Sequence, residues 1–324
     1  MRAAEREYLS VHLLRAAFVA VATTALGLPF LPPVAAATTG PAYAAVGFAH
    51  NATTLIVGRF GGTARTIYRG DSPASIQEPS VSPDGRRVAF DEVEGSGFPR
   101  IAVINVDGTG HKFLTGNVTD RDLSAPVWSR DGKRIYFGSY NTERQNNYAA
   151  YFVPADGSAR MTAVPHGSDA RPESLSADDK TLAFDTMVSG ERWQRTGLIG
   201  VNGTSRRRVG GANLWQAAWR PRTSTLAVSR VLREGNEAVT IQIQLLNIST
   251  GRYHALSATQ SASGYGAAYP LAWYGGWLYY FHYDYRNGSQ AHPQVYKIRP
   301  DGSERTNVTP RLSGWLGPFS VQGR

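Results

Sequence analysis

The sequence predicts an all-β protein, a six-bladed β-propeller of four-stranded blades, and three observations carry that prediction. A glycine in a tight-turn context recurs at Gly62, Gly108, Gly157, Gly203, Gly251 and Gly302, at separations of 46, 49, 46, 48 and 51 residues. Glycine at such a point supplies the positive φ that a short hairpin demands, so six of them mark six equivalent hairpins. The second observation is a bulky apolar residue just ahead of another turn and an apolar run: Val81, Trp128, Leu175, Trp219 and Trp273. Together these signals give four short strands per unit of about fifty residues, the period of a propeller blade. The third is a gap at one end of the chain that the other end fills.

Taken in order, the chain opens on residues 1–37, where Arg2, Arg6 and Arg15 precede a mainly apolar run over 16–31, then Pro32, Pro33 and small residues to Ala37. The run is shorter than the roughly 20 residues a spanning helix needs, so the segment reads as a cleaved export signal. Cleavage is expected after Ala36, Ala37 or Ala44, with the propeller occupying 38–324. Residues 43–49, 54–59 and 64–68 match the second, third and fourth strands of a blade whose first strand is missing. The tail supplies one: Gly317-Pro318-Phe319-Ser320 resembles Ala125-Pro126-Val127-Trp128-Ser129, and Phe319 lies 46 residues after Trp273. Aligning Phe319 with Trp128 predicts that the tail completes the first blade and closes the ring.

Between the two ends, residues 79–116 show a whole unit, four apolar strands separated by an Asp-Gly turn, a polar loop and a second Asp-Gly turn. Second strands recur over 87–90, 134–137, 181–184, 225–228 and 277–281 and are apolar on both faces, as sheets sandwiched between two neighbours must be. Trp128, Trp219 and Trp273 are therefore expected in the core. Six Asn-x-Ser/Thr sequences, at Asn51, Asn117, Asn202, Asn247, Asn287 and Asn307, read as turn chemistry.

Composition agrees, since 11% aromatic residues, 18% charged residues and 34 glycines suit strands joined by tight turns. Cysteine is absent, which excludes a disulfide framework, a lipid-anchor cysteine and a thiolate metal site. The formal charge of +9 is spread along the chain, with only Arg206, Arg207 and Arg208 in a run. Such a distribution suits anionic cell-envelope polymers better than nucleic acid.

The repeats resemble those of the TolB-type propeller family, whose hallmark is a Trp/Leu-Ser-Pro-Asp-Gly turn ahead of an Ile/Val-Ala-Phe strand. SPDGRRVAF at 82–90 fits fully, and SRDGKRIYF at 129–137 and SADDKTLAF at 176–184 fit closely. The resemblance spans 43–324 and implies the propeller without the α/β domain that full TolB carries ahead of it, for which this chain has no room. It implies no single function, because envelope scaffold proteins, accessory propellers of serine peptidases and sugar lyases share related folds.

Tight turns join first to second and third to fourth strands, so the longer connections gather on the opposite face, the candidate binding surface. Its candidate ligand- or partner-binding residues are Tyr140, Arg144, His166, Trp193, Arg195, Trp215, Tyr265, Tyr283, Tyr285 and Arg286. Tyr, Trp and Arg are the usual interface anchors. No nucleophile elbow, Walker loop, His-Glu-x-x-His or calcium-loop pattern occurs, so no catalytic residue, metal or cofactor is expected. The expectation is an exported, monomeric, non-catalytic module for an envelope or extracellular protein, peptide or glycan. Nucleic acid is not expected as a partner, nor an integral membrane segment after cleavage. The alternative is a polysaccharide lyase-like enzyme in which His166 or His292 at the channel mouth abstracts a proton beside a uronic carboxylate.

Overall fold

The computed structural model describes residues 40–49, 52–72, 75–95, 97–141, 148–186, 194–234, 239–256, 266–284, 294–312 and 316–323. The expected export segment, 1–37, lies outside them. Blade 1 contains β1 (Ala42–Ala49), β2 (Ala52–Arg59) and β3 (Ala64–Arg69); blade 2 contains β4 (Ile76–Val81), β5 (Arg87–Glu92), β6 (Arg100–Asn105) and β7 (Lys112–Phe113). Blade 3 contains β8 (Arg121–Trp128), β9 (Arg134–Asn141), β10 (Tyr148–Pro154) and β11 (Thr162–Ser168). Blade 4 contains β12 (Arg171–Leu175), β13 (Thr181–Thr186), β14 (Arg195–Gly200) and β15 (Arg207–Arg208). Blade 5 contains β16 (Leu214–Trp219), β17 (Thr225–Glu234), β18 (Val239–Asn247) and β19 (Tyr253–Ala255). Blade 6 contains β20 (Gly266–Tyr274), β21 (Trp277–Asp284), β22 (Gln294–Ile298) and β23 (Thr306–Asn307), and β24 (Leu316–Val321) returns to pair with β1. Six four-stranded antiparallel sheets form the ring, blades 5 and 6 touching through one parallel bridge, Thr240 to Gly266.

The repeated turns are built by side chains. In the first turn of blades 2, 3 and 4, Ser82, Ser129 and Ser176 donate their hydroxyls to Asp84, Asp131 and Asp178 at 2.6 Å. The same carboxylates accept a backbone N–H two residues on, from Arg86, Lys133 and Lys180. This is the physical content of the Ser-x-Asp motif, an Asx turn locked by a second hydrogen bond. In the second turn Asp107, Asp156 and Asp301 accept the N–H two residues later, and so do Asn202 and Asn247. Two of the Asn-x-Ser/Thr sequences are thus turn residues, and Asn307 instead ends β23, where it accepts Thr309 N–H.

Positive φ occurs at Gly108, Gly157, Gly203, Gly251 and Gly302 as expected, but in the first hairpin it belongs to Gly61 (φ 83) and not Gly62. Gly62 N–H still closes the turn on the Arg59 carbonyl at 2.9 Å, as Gly108 does on Asn105. With two glycines available, this turn puts its left-handed residue at the third position instead of the fourth.

Apolar packing falls into six clusters, one in each seam between neighbouring blades. Trp128, Trp219 and Trp273 are buried in them, and the indoles of Trp128 and Trp273 also donate to Ser80 and Ala218 carbonyls of the preceding blade. Burial on this pattern is the main stabilising term.

Closure occurs where predicted, in a different register. Val321 pairs with Tyr43, and Gln322 N–H bonds the Ala42 carbonyl at 2.8 Å. That bond matches Ser82 to Arg87, Ser129 to Arg134 and Ser176 to Thr181, so Val321, not Phe319, occupies the Trp128 position. Phe319 sits two residues earlier on the same side of the strand. It is nonetheless buried in the seam between blades 6 and 1, stacked on Tyr43 at 5.2 Å and near Phe281 at 6.2 Å. An aromatic two residues out of register still faces the same seam, because strand side chains alternate with a period of two.

A candidate binding site at the channel mouth

The inner strand of every blade carries a register break, at Gln77/Ser80, Ser124/Val127, Pro172/Ser174, Trp215/Ala217, Pro270/Ala272 and, for β24, opposite Ala45/Gly47. Such bulges bend a strand and re-aim its side chains. Three place a non-glycine residue in the left-handed region: Glu78 (φ 41), Ala125 (φ 56) and Gln216 (φ 48). Backbone strain of this kind persists where the surroundings over-determine it, and it collects at functional sites.

Arg171, the first residue of β12, stands opposite Asp185 in register. Its guanidinium donates to Glu173 Oε1 at 2.5 Å and to Glu78 Oε1 at 2.6 Å. Glu78 belongs to blade 2 and Arg171 to blade 4, so their bond passes the inner edge of blade 3 and lies inside the ring. Since β12 follows directly on the link from blade 3, this is the long-loop end of the channel. Burial works against the charge on Arg171, but Glu78 and Glu173 more than offset it and hold the guanidinium firmly protonated.

Asp185 is buried, and its Oδ2 accepts the N–H of Gln216, fixing the strained bulge of blade 5 at 3.1 Å. Its Oδ1 is buried with no hydrogen-bond partner among the described residues. Burial, and then the neighbouring Glu173 carboxylate, push Asp185 well above the usual aspartate range, against the pull of Arg171. Asp122, opposite Tyr140 in register, is also pushed up by burial. Tyr140 packs on Tyr148 with ring centroids 5.1 Å apart. Tyr148 and the Arg171 stem meet over Gly138, where a Cβ would touch both at 3.6 and 3.4 Å. Blades 2, 3 and 4 therefore build one polar mouth, rich in carboxyl groups around a single buried arginine.

A second polar cluster lies in the seam of blades 1 and 2. Buried Glu92 accepts the Tyr68 hydroxyl at 2.6 Å and faces His111 Nε2 at 2.8 Å, while His111 stacks on Tyr68 at 4.6 Å. Both Glu92 oxygens are bound within the seam, which suits a clamp between blades. Among the described residues, no group of three or more His, Cys, Asp or Glu is arranged to hold a metal ion. No helix among them is long and apolar enough to cross a membrane.

Several residues expected in loops lie in strands that run further toward the long-loop face. Tyr140 is in β9 beside the polar mouth, Arg195 opens β14, and Trp215 and Tyr283 belong to β16 and β21 by their backbones. His166 is exposed in β11, the outermost strand of blade 3, away from the channel where proton abstraction would need it. Arg144, Trp193, Tyr265, Tyr285, Arg286 and His292 lie outside the described residues. Sequence reasoning placed Arg171 on the long-loop face but missed Glu78, Glu173 and Asp185. The signal was there: carboxylates break the inner strands at QEPSVS and RPESLS, and Asp91 and Asp185 end otherwise apolar second strands.

No family model and no curated protein matches the sequence. Among solved structures, the chain is similar to TolB from Acinetobacter baumannii, with 17% identity and a TM-score of 0.65, over 88% of this chain and 67% of that one. It is similar to hydrazine synthase from Kuenenia stuttgartiensis at 10% identity and TM-score 0.60, over 88% of this chain and 47% of the other. An oligogalacturonate lyase from Vibrio parahaemolyticus gives 12% identity and TM-score 0.55, over 81% and 73%. At these identities the likeness is one of fold: the protein is a six-bladed propeller of the kind found in TolB.

Proposed function

We propose that this chain is an exported propeller of the cell envelope that works by binding, not catalysis, and takes a protein or peptide segment at the long-loop mouth of its channel. The observation that supports this most strongly is the Glu78–Arg171–Glu173 bridge across the inner edge of blade 3, with Tyr140 and Tyr148 beside it. Such a mouth offers hydrogen-bond acceptors on fixed strands to main-chain N–H groups and to Lys or Arg side chains, with aromatic surface alongside. Pre-organised polar groups beside aromatic anchors are what interface hot spots are made of. The apolar run over 16–31 supports export, and the even spread of basic residues favours an envelope partner over nucleic acid.

The test is capture of envelope proteins by the tagged full chain. Replacing Tyr140, Trp193 and Tyr285 together by alanine is expected to lower capture at least about tenfold while moving the melting temperature by no more than about 2 °C. Undiminished capture would assign the partner to another face.

A further inference from the structure

On the outer rim, away from the channel, a cleft of 280 Å³ opens at the seam of blades 3 and 4, lined by Asp169, Phe184, Thr186, Arg206, Arg207 and Arg208. We propose that this cleft binds a phosphate-type anion, carried free or on a small organic group such as a sugar. The proposal is independent of the channel mouth.

Basic residues on an outermost strand have a simpler use, since charge there deters edge-to-edge pairing with other chains. That use asks for guanidiniums extended into water. Arg206, exposed as it is, folds back on the blade: its Nη1 donates to the His166 carbonyl of blade 3 at 2.6 Å, and its guanidinium lies 5.1 Å from the centre of the Phe184 ring. Arg207, the next residue, points to the other face of the blade and bonds the Ile248 carbonyl of blade 5 at 3.4 Å, so Arg206 and Arg208 are the guanidiniums on the side of blade 3. Arg206 is tied through one nitrogen to a neutral group, which fixes the side chain while leaving its charge available. Among the described residues no carboxylate comes within ion-pair distance of any of the three arginines, and Arg208 is exposed. One carboxylate, Asp169, shares the cleft with them. With Arg206 and Arg208 facing the seam and Asp169 opposite them, the cleft carries a net positive charge, which suits an anion.

The residue type points the same way. Guanidinium presents paired donors at the spacing of two phosphate oxygens, and the tethered fork of Arg206 loses little freedom on binding. Thr186 adds a hydroxyl to the lining. The volume lies just below the ~300 Å³ at which small-molecule pockets begin, room for a phosphate with a small body attached.

The experiment is calorimetric titration of the full chain with inorganic phosphate, sulfate and glucose 6-phosphate at fixed ionic strength. Saturable one-site binding is expected for phosphate and for glucose 6-phosphate; tighter binding of the sugar ester assigns the cleft to an esterified phosphate, and equal binding to the phosphate group alone. Arg208→Glu, which breaks no contact within the described protein, should weaken binding more than tenfold with an unchanged melting temperature. Arg206→Lys should weaken it too, since a single ammonium cannot replace the fork. Tyr140→Ala should leave it unaltered, which separates this site from the channel mouth. The proposal is overturned if no saturable heat appears up to about 10 mM phosphate. It is equally overturned if chloride competes as well as sulfate, or if Arg208→Glu binds like the parent.

Discussion

Asp185 faces Arg171 in register and still holds its proton above the ordinary aspartate range, because burial and the adjacent Glu173 outweigh the guanidinium. The folded protein therefore binds this proton more tightly than the unfolded chain does. Its contribution to stability is full below the unfolded value of 3.8 and is lost as pH rises through the folded value. Asp185→Asn removes the titration while keeping an acceptor for Gln216 N–H. Urea unfolding of the two proteins should show the variant gaining on the parent as pH rises from about 4 to about 7. A constant difference across that range would mean that Asp185 is ionised throughout. The turn aspartates have the opposite sign. The Ser176 hydroxyl and then Lys180 N–H hold Asp178 below 3.8, and the Ser303 hydroxyl and N–H do the same for Asp301. Their stabilisation is present above 3.8 and is lost as pH falls through the folded values, which places acid weakening of these turns below about pH 4.

At the scale of the strand, β24 is an element whose partner lies at the far end of the chain. Its main-chain pairing to β1 is supplemented by Gln322, whose amide accepts from Ala42 N–H at 3.1 Å and donates to the Pro83 carbonyl of blade 2 at 2.6 Å. Ser320 Oγ accepts Val81 N–H from the same blade. The strap thus fastens blade 1 to blade 2 as well as completing blade 1. Truncation after Arg311 removes these bonds and the buried Phe319 and Val321, and it bares the edge of β1. Loss of a buried Phe alone costs about 3 to 5 kcal/mol, comparable to a domain's whole margin. The truncated chain should be recovered as aggregate, read by size-exclusion chromatography. A soluble monomer with the parental melting temperature would contradict the strap. The strap was legible in the sequence because a proline and an aromatic sit near the expected period. Its register was not, since Phe319 and Val321 face the same seam and only the backbone bond of Gln322 tells them apart.

For the whole molecule, what could be read in advance follows from distance along the chain. Turns are local: Ser82 to Asp84, or Asn202 to Thr204, spans two residues, so six blades declared themselves through punctuation. The channel mouth is not local. Glu78 and Arg171 are 93 residues apart, and neither carries a sign of the other until the ring closes. The charge of +9 resolves in part in the same way. Arg65, Arg87, Lys112, Arg206 and Arg207 each reach across a seam to a carbonyl of a neighbouring blade, so these cations are fasteners before they are a surface. What remains is a ring with two unlike faces, one of tight hydrogen-bonded turns and one bearing the polar mouth. The central claim is that partners meet the second face. It is tested most directly by placing a photo-crosslinking amino acid at Tyr140, and separately at Ser158 in a tight turn, in the full chain produced in its own cells. Crosslinked product at position 140 and none at 158 is the predicted result. Product at 158 with none at 140 would contradict it.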